Sequence, residues 1–204
     1  MTQRNYKIVL IGNALVGKTA IVTRFAKDYF EQNYLRTLVI NYYIKTQIIN
    51  NVEVKMIITD TAGQEAFQRL RSSYYKGARG AIIVYSINDR HSFGQVEYWK
   101  NEMFKTLNEL PIIIVGNKID LLEQRKVSTS EGRLLAKKLG CLFIESSAKT
   151  GENINEIFKM IVKDILRKDD LISTNGEKED IQVDKEEEQK PVNEEEIENK
   201  QQEQ

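Results

Sequence analysis

Gly-Asn-Ala-Leu-Val-Gly-Lys-Thr, residues 12–19, is the stretch that decides the fold, because it lies between an apolar strand and an amphipathic helix. Tyr6–Ile11 is a short run rich in β-branched residues that predicts a strand, and the helix follows directly after the loop. Gly12 and Gly17 allow the backbone to curl so that its N–H groups point at an anion. The start of the helix adds partial positive charge. The pattern predicts a phosphate-binding loop.

Two side chains of this loop carry specific chemistry. Lys18 can reach the β- and γ-phosphates of a nucleotide, and the Thr19 hydroxyl can bind Mg²⁺. A glycine turn with a surface lysine is the alternative, and the strand–loop–helix context disfavours it. The predicted nucleotide contacts of the loop are Gly12, Asn13, Ala14, Leu15, Val16, Gly17, Lys18, Thr19 and Ala20.

A second segment, Asp60 to Gln64, follows the apolar run Val52–Thr59. Asp60 at a strand end can hold Mg²⁺ through water. The Gly63 N–H can meet the γ-phosphate, and Gln64 can orient an attacking water. We therefore expect Gln64, Gly63 and the loop lysine to act in catalysis.

Two further segments predict which base is bound. Asp120, at the end of Asn-Lys-Ile-Asp, can accept hydrogen bonds from guanine N1–H and the exocyclic amine. Adenine has neither donor, and sites built on such pairs discriminate by about 10⁴–10⁵. After a later strand, a backbone N–H can meet the guanine oxygen, and Ser147 can brace Asp120. The residues of these two segments that are predicted to bind the nucleotide are Asn117, Lys118, Asp120, Ser147, Ala148 and Lys149.

Together these motifs resemble those of Ras-superfamily small GTPases, and the Rab subfamily is the most similar. The resemblance covers about residues 5–168. The Rab-like segments are Asp60–Glu65, Tyr74–Ala78, Tyr85–Ile87, Ser92-Phe93, Trp99 and Ser147–Gly151. The resemblance implies a P-loop NTPase fold, GTP/GDP and Mg²⁺ as ligands, and hydrolysis of GTP to GDP and phosphate.

The resemblance also implies two switch segments. Phe30 would pack on the guanine, Tyr34 would close over the γ-phosphate, and Thr37 would join Thr19 and Asp60 as a metal ligand in the triphosphate state. Thr37 and Gly63 would hold their loops until hydrolysis releases them. Effectors, exchange factors and activating proteins would bind through residues 34–46 and 63–76.

Several residues depart from the Rab pattern, mostly on the face that relatives use for partners. They are Ala14, Leu15, Val39, Asn41, Thr59 and Ala66. Two functions therefore stay open: a slow GTPase switch that recruits effectors in vesicle traffic, and a GTP-loaded binding scaffold with little turnover. Retained Gln64 favours the first, and Ala14 and Val39 favour the second. An ATP-dependent kinase is disfavoured by Asp120 and its neighbours.

Composition divides the chain in two. Residues 169–204 hold 14 acidic residues and 4 lysines, whereas residues 1–168 carry a net charge of +10. The acidic segment has no aromatic residue, so it is predicted to be a disordered tail behind a small GTPase domain at 1–168. Nucleic-acid binding has no support, and we expect a monomer.

Cys141 is the only cysteine, which excludes an internal disulfide and fits a reducing compartment. Rab proteins usually end in prenylated cysteines, so we expect no lipid anchor here; an incomplete C-terminus is the alternative. The acidic tail would be repelled by anionic lipid. These features predict a cytosolic protein that meets endomembranes through protein partners.

Apolar runs alternate between strand and helix patterns along the first part of the chain. Asn50-Asn51 predicts a tight hairpin turn. Strands are predicted at 5–11, 42–49, 52–59, 81–87, 111–116 and 141–145, and helices at 18–27, 66–77, 92–108, 129–139 and 152–168. The fold class is therefore α/β, a three-layer arrangement around a six-stranded, mostly parallel sheet with one antiparallel edge strand and about five helices.

Overall fold

The computed structural model describes residues 3–31, 41–61 and 73–187, with side chains described through Leu171. Within these residues lies one sheet of six strands, in the order β2-β3-β1-β4-β5-β6. Only β2 runs antiparallel, against β3, and the remaining described pairs are parallel. The strands are β1 (Gln3–Ile11), β2 (Asn41–Ile49), β3 (Val52–Asp60), β4 (Ala78–Ser86), β5 (Ile112–Asn117) and β6 (Leu142–Ser146).

All six predicted strands are present, and the predicted fold class is confirmed. Asn50 and Asn51 form the β2–β3 turn with φ of 51° and 62°, the left-handed backbone that asparagine tolerates. The helices are α1 (Lys18–Lys27), α2 (Arg90–Gly94), α3 (Val96–Phe104), a 3₁₀ helix (Ile119–Gln124), α4 (Thr129–Leu139) and α5 (Ile154–Glu187). Residues 73–75 are helical too, and the rest of the helix predicted at 66–77 falls mostly outside the described residues.

Two helix predictions were wrong in their bounds. The helix predicted at 92–108 begins at Arg90, because the Asp89 side chain accepts from His91 N, and it is divided into α2 and α3 at Gln95. The last helix continues to Glu187 rather than ending at 168. Residues 169–187 are thus helical where a disordered tail was predicted. Glu and Lys are good helix formers, and extending an existing helix requires no new nucleus.

The chain divides into two units, Met1–Leu166 and Arg167–Gln204. Residues 188–204, the remainder of the predicted tail, lie outside the described residues. Among the described residues, no helix has the length and apolar character needed to span a bilayer.

The core lies on both faces of the sheet. On one face α1 and the start of α5 pack together, and the rings of Phe25 and Phe158 stack with centroids 3.7 Å apart. On the other face α3 and α4 cover β4 and β5, with Trp99 and Tyr85 among the buried residues. The apolar stripe predicted along the last helix is buried at every position, at Ile154, Ile157, Phe158, Ile161, Val162, Ile165 and Leu166. This packing brings the ends of β1, β3, β5 and β6 to one edge.

Candidate nucleotide-binding site

The loop between β1 and α1 depends on its two outer glycines. Gly12 has φ of 135°, and a Cβ there would lie 2.2 Å from Val84 O. Gly17 precedes α1 with φ of 97°, and a Cβ there would lie 2.3 Å from Asn117 Nδ2. No side chain fits at either position, so the glycines allow the loop to pass close to β4 and β5.

Lys18 is buried, and its ammonium is held by the loop itself. Nζ donates to Gly12 O at 2.8 Å and to Asn13 O at 2.7 Å. Leu15 is 64% exposed, whereas Val16 is buried in the core. Val16 therefore contributes to the site through its backbone, and its side chain packs inside the domain.

Thr19 and Asp60 meet where α1 begins and β3 ends. Thr19 Oγ1 donates to Asp60 Oδ2 at 2.7 Å. Asp60 is fully buried, and its Oδ1 has no hydrogen-bond partner among the described atoms. Burial raises the pKa of Asp60, while the Thr19 bond and the Lys18 charge act in the opposite direction. A buried, unpaired carboxylate oxygen beside a hydroxyl fits a hard cation such as Mg²⁺.

A pocket of about 410 Å³ lies beside the loop and holds most of the predicted base contacts. It is lined by Gly17, Ala20, Phe30, Asn117, Lys118, Asp120, Leu121, Ala148 and Lys149. Phe30 is among them, as the predicted ring contact with guanine requires. Leu121 was not predicted, although its position directly after Asp120 could have indicated it.

The predicted brace on Asp120 is present. Ser147 Oγ donates to Asp120 Oδ1 at 2.6 Å, and Thr150 N donates to the same Ser147 oxygen at 3.1 Å. The 3₁₀ helix begins directly after Lys118, so Asp120 sits in its first turn. This arrangement fixes the carboxylate in the lining of the pocket, where it can accept hydrogen bonds from a base edge.

Asn117 connects three parts of the site. Its Nδ2 donates to Val16 O at 2.9 Å, and its Oδ1 accepts from Ala148 N at 3.3 Å and Ser146 Oγ at 3.4 Å. Asn117 is 1% exposed. Its amide therefore joins the phosphate loop to the loop after β6. Asn117 also lines the pocket, and its contact with the nucleotide stays a prediction.

Lys118 has a left-handed backbone with φ of 71° and is half-buried. Burial lowers the pKa of the Lys118 ammonium, and the charges of Asp89 and Asp120 oppose this change. The predicted switch residues Tyr34, Thr37, Gly63 and Gln64 lie outside the described residues. Their roles stay predictions.

Two residues whose contacts were not predicted from the sequence also hold the site together; Trp99 was named only as part of the Rab resemblance, and Arg24 was not named. Trp99 Nε1 on α3 donates to Asn13 Oδ1 at 2.7 Å. Arg24 on α1 donates from Nε to Ala148 O at 3.0 Å and from Nη2 to Lys149 O at 2.7 Å. Both contacts join residues far apart in sequence, and no motif of this chain indicates them.

The same set of motifs occurs in a known family. Residues 7–167 match the family model described as the Ras family. The chain belongs to the Ras family. It is a Rab-like small GTPase, so its ligands are GTP and GDP with Mg²⁺.

Similar proteins come from yeast, plants and mammals. The chain is 44% identical to Ras-related protein SEC4 of Saccharomyces cerevisiae over 169 residues, which is 80% of this chain and 76% of that protein. It is 43% identical to RABA5a of Arabidopsis thaliana, covering 78% and 73% of the two chains. It is 38% identical to Rab-13 of Bos taurus, covering 80% and 81%.

Proposed function

We propose that this GTPase is a slow molecular switch that recruits effectors in its GTP state and acts in vesicle traffic at endomembrane surfaces. One register pair carries the proposal. Asn41, the first residue of β2, lies opposite Asp60, the last residue of β3. The described chain next to the two switch segments, at Asn41 and at Asp60, is therefore brought together beside the Thr19–Asp60 hydrogen bond.

This placement gives the two segments a common ligand. A triphosphate with its metal held by Thr19 and Asp60 would lie beside Asn41 and Asp60, from which the chain leads to Thr37 and to Gly63. When bound, Mg²⁺ neutralises charge on the β- and γ-phosphate oxygens. Loss of the γ-phosphate would remove contacts from both segments at once, which is the physical basis of the proposed switch.

The proposed roles in hydrolysis rest on the position of Lys18 in the loop and on the predicted role of Gln64. Lys18 stabilises negative charge that develops between the β- and γ-phosphates, and the loop N–H groups orient them. Gln64 orients a water whose oxygen attacks the γ-phosphorus as the bond to the β-phosphate oxygen breaks, giving phosphate and GDP. With no arginine assigned to the transition state, the intrinsic rate is on the order of 10⁻⁴ s⁻¹, and an external arginine raises it by about 10³–10⁵.

The proposed partner surface begins on β2, the edge strand. Tyr42, Ile44 and Ile48 alternate along this strand and are each at least 60% exposed. An exposed apolar row on an edge strand is a common feature of protein-binding surfaces. We propose that effectors contact this row together with residues 34–40 and 63–76.

A scaffold that stays loaded with GTP is the second candidate, and the phosphate loop favours it. Leu15 has φ of 65° with its side chain 64% exposed, next to the Ala14 methyl. Bulk at these two positions lies on the loop that cradles the phosphates. It would hinder an activating arginine from outside and slow turnover.

Single-turnover GTP hydrolysis separates the two candidates. The assay compares the unmodified protein with Gln64→Leu and with Ala14→Gly/Leu15→Gly, each with and without an extract that contains activating proteins. A switch shows slow hydrolysis that the extract accelerates and that Gln64→Leu removes. A scaffold shows no acceleration unless both loop residues are glycine. Equal rates for the unmodified protein and Gln64→Leu would contradict the role of Gln64.

A further inference from the structure

Arg24 lies on α1, the helix that begins at the phosphate loop. It follows Lys18 by six residues, which is about 9 Å along a helix axis. At that distance from Lys18 its guanidinium reaches the loop after β6. Nε donates to Ala148 O at 3.0 Å, and Nη2 donates to Lys149 O at 2.7 Å.

The loop that Arg24 contacts is the one that supports base recognition. Ser147 braces Asp120, and the Ala148 backbone N–H is bound to Asn117 Oδ1. These bonds hold the loop from the side of β5, and the arginine holds its carbonyls from the side of α1. Gly151, with φ of 88°, passes near the arginine, and a Cβ there would lie 3.9 Å from Arg24 Cδ.

An exposed ion pair does not account for this arrangement. Arg24 Nη1 lies 3.5 Å from Asp28 Oδ1, but the Asp28 side chain is 96% exposed, whereas the Arg24 side chain is 20% exposed. Exposed pairs of this kind contribute little. Bonds from a planar, charged fork to two neighbouring carbonyls are stronger and fix an orientation.

We propose that Arg24 is a positioning residue that slows nucleotide release. Its guanidinium keeps the loop Ser147–Gly151 against α1, so the base contacts and the phosphate contacts stay on one rigid unit. The proposal rests on the pocket being the guanine-nucleotide site, and it does not depend on the switch or on hydrolysis.

Release of fluorescent GDP from the full chain in Mg²⁺ tests this role. Arg24→Met keeps most of the stem and removes both bonds, so release should be about tenfold faster. Arg24→Lys offers one compact donor group and should give an intermediate rate. Asp28→Asn removes the exposed ion pair, keeps a residue that tolerates φ of 51°, and should release GDP at the unmodified rate.

A second readout distinguishes positioning from general stability. Inosine diphosphate lacks the exocyclic amine of guanine, so the ratio of GDP to IDP affinity reports how well Asp120 is placed. Arg24→Met should lower this ratio as well as speed release, and Arg24→Lys should restore part of it. If the methionine variant fails to fold, the lysine variant carries the same test.

Three results would overturn the proposal. They are unmodified release rates in both Arg24 variants, faster release with an unchanged GDP-to-IDP ratio, and faster release in Asp28→Asn equal to that in Arg24→Met. If the unmodified chain itself failed to retain GDP, the nucleotide site would be rejected and the role of Arg24 with it. If the unmodified chain binds GDP tightly and both Arg24 variants release it at the unmodified rate, only the role of Arg24 is rejected.

Discussion

Ser147 Oγ and Asp120 Oδ1 are 2.6 Å apart and joined by a hydrogen bond, which leaves the second carboxylate oxygen of Asp120 for a ligand in the pocket. The Ser147 hydroxyl fixes the Asp120 side chain and uses only one of the several hydrogen bonds that a carboxylate can accept. The orientation of the Asp120 carboxylate, the proposed base-reading group, is therefore set before any nucleotide binds.

We predict that Asp120→Asn changes the preferred base from guanine to xanthine. The amide oxygen can still accept from Ser147, which turns the amide nitrogen towards the pocket, where it donates to the additional xanthine oxygen. GDP affinity should fall by about 10²-fold or more, and XDP affinity should rise. Competition against a fluorescent nucleotide measures both.

Asp89→Asn is the matched control for that experiment, because Asp89 also faces Lys118 but caps α2 and lies outside the pocket lining. Its GDP preference should not change. Binding of ATP and GTP within tenfold of each other by the unmodified protein would show that Asp120 does not select the base.

We predict that Leu15→Gly stabilises the protein. Leu15 has φ of 65°, where a non-glycine residue costs about 1–2 kcal/mol, while glycine gains freedom in the unfolded chain worth about 0.5–1 kcal/mol. The net gain in unfolding free energy should be about 0.5–1 kcal/mol in urea. Asn50→Gly, at φ of 51° in the β2–β3 turn, should gain less because asparagine tolerates this region. A less stable Leu15→Gly would mean that the leucine side chain makes a contact that outweighs the strain.

Most of the fold could be predicted because the apolar runs alternate between strand and helix patterns, and a glycine-rich loop joins the first strand to the first helix. Few topologies satisfy that order. The break at Gln95 was missed because the pattern of buried residues continues across it, from Ser92 through Val96 to Trp99. The length of α5 was missed because the prediction for residues 169–204 rested on charge composition. That composition indicates whether a segment can form a hydrophobic core, and a single helix needs no core of its own.

Site residues inside motifs were predicted, and residues that hold the motifs were not. Asp120 and Ser147 could be predicted because each lies in a short motif that is visible in the sequence. Arg24 acts on carbonyls 124 and 125 residues away, and Trp99 on a side chain 86 residues away. Such contacts follow from how α1 and α3 pack on the sheet. The pattern of residues along the sequence does not determine that packing.

We predict that Glu131 gives the protein a stability that acid removes. Bonds from the Ser128 backbone and side chain, together with Arg90, lower the pKa of Glu131 to about 2. Because the folded pKa lies below the unfolded value of about 4.3, the contribution is complete above that value and is lost as pH falls towards 2.

Urea unfolding of the unmodified protein and Glu131→Gln at several pH values tests this. The difference in unfolding free energy should be greatest near neutral pH and smallest near pH 2. Ser128→Ala should reduce the pH dependence as well, since Ser128 closes the capping box of α4. A difference that stays constant from pH 7 to pH 2 would contradict the assignment.

We predict that Trp99 restrains the phosphate loop through Asn13. Trp99 is 6% exposed and donates to Asn13 Oδ1 at 2.7 Å, and the Asn13 carbonyl also accepts from Lys18. Trp99→Phe keeps an aromatic ring in the core and loses this donor. A net loss of about 1 kcal/mol should speed GDP release by about fivefold. Tyr98→Phe, on the neighbouring and more exposed ring, should leave release unchanged. A double-mutant cycle with Asn13→Ala gives the decisive comparison: if the bond is what matters, Trp99→Phe adds little once Asn13 is alanine, whereas fully additive effects would show that the two residues act separately.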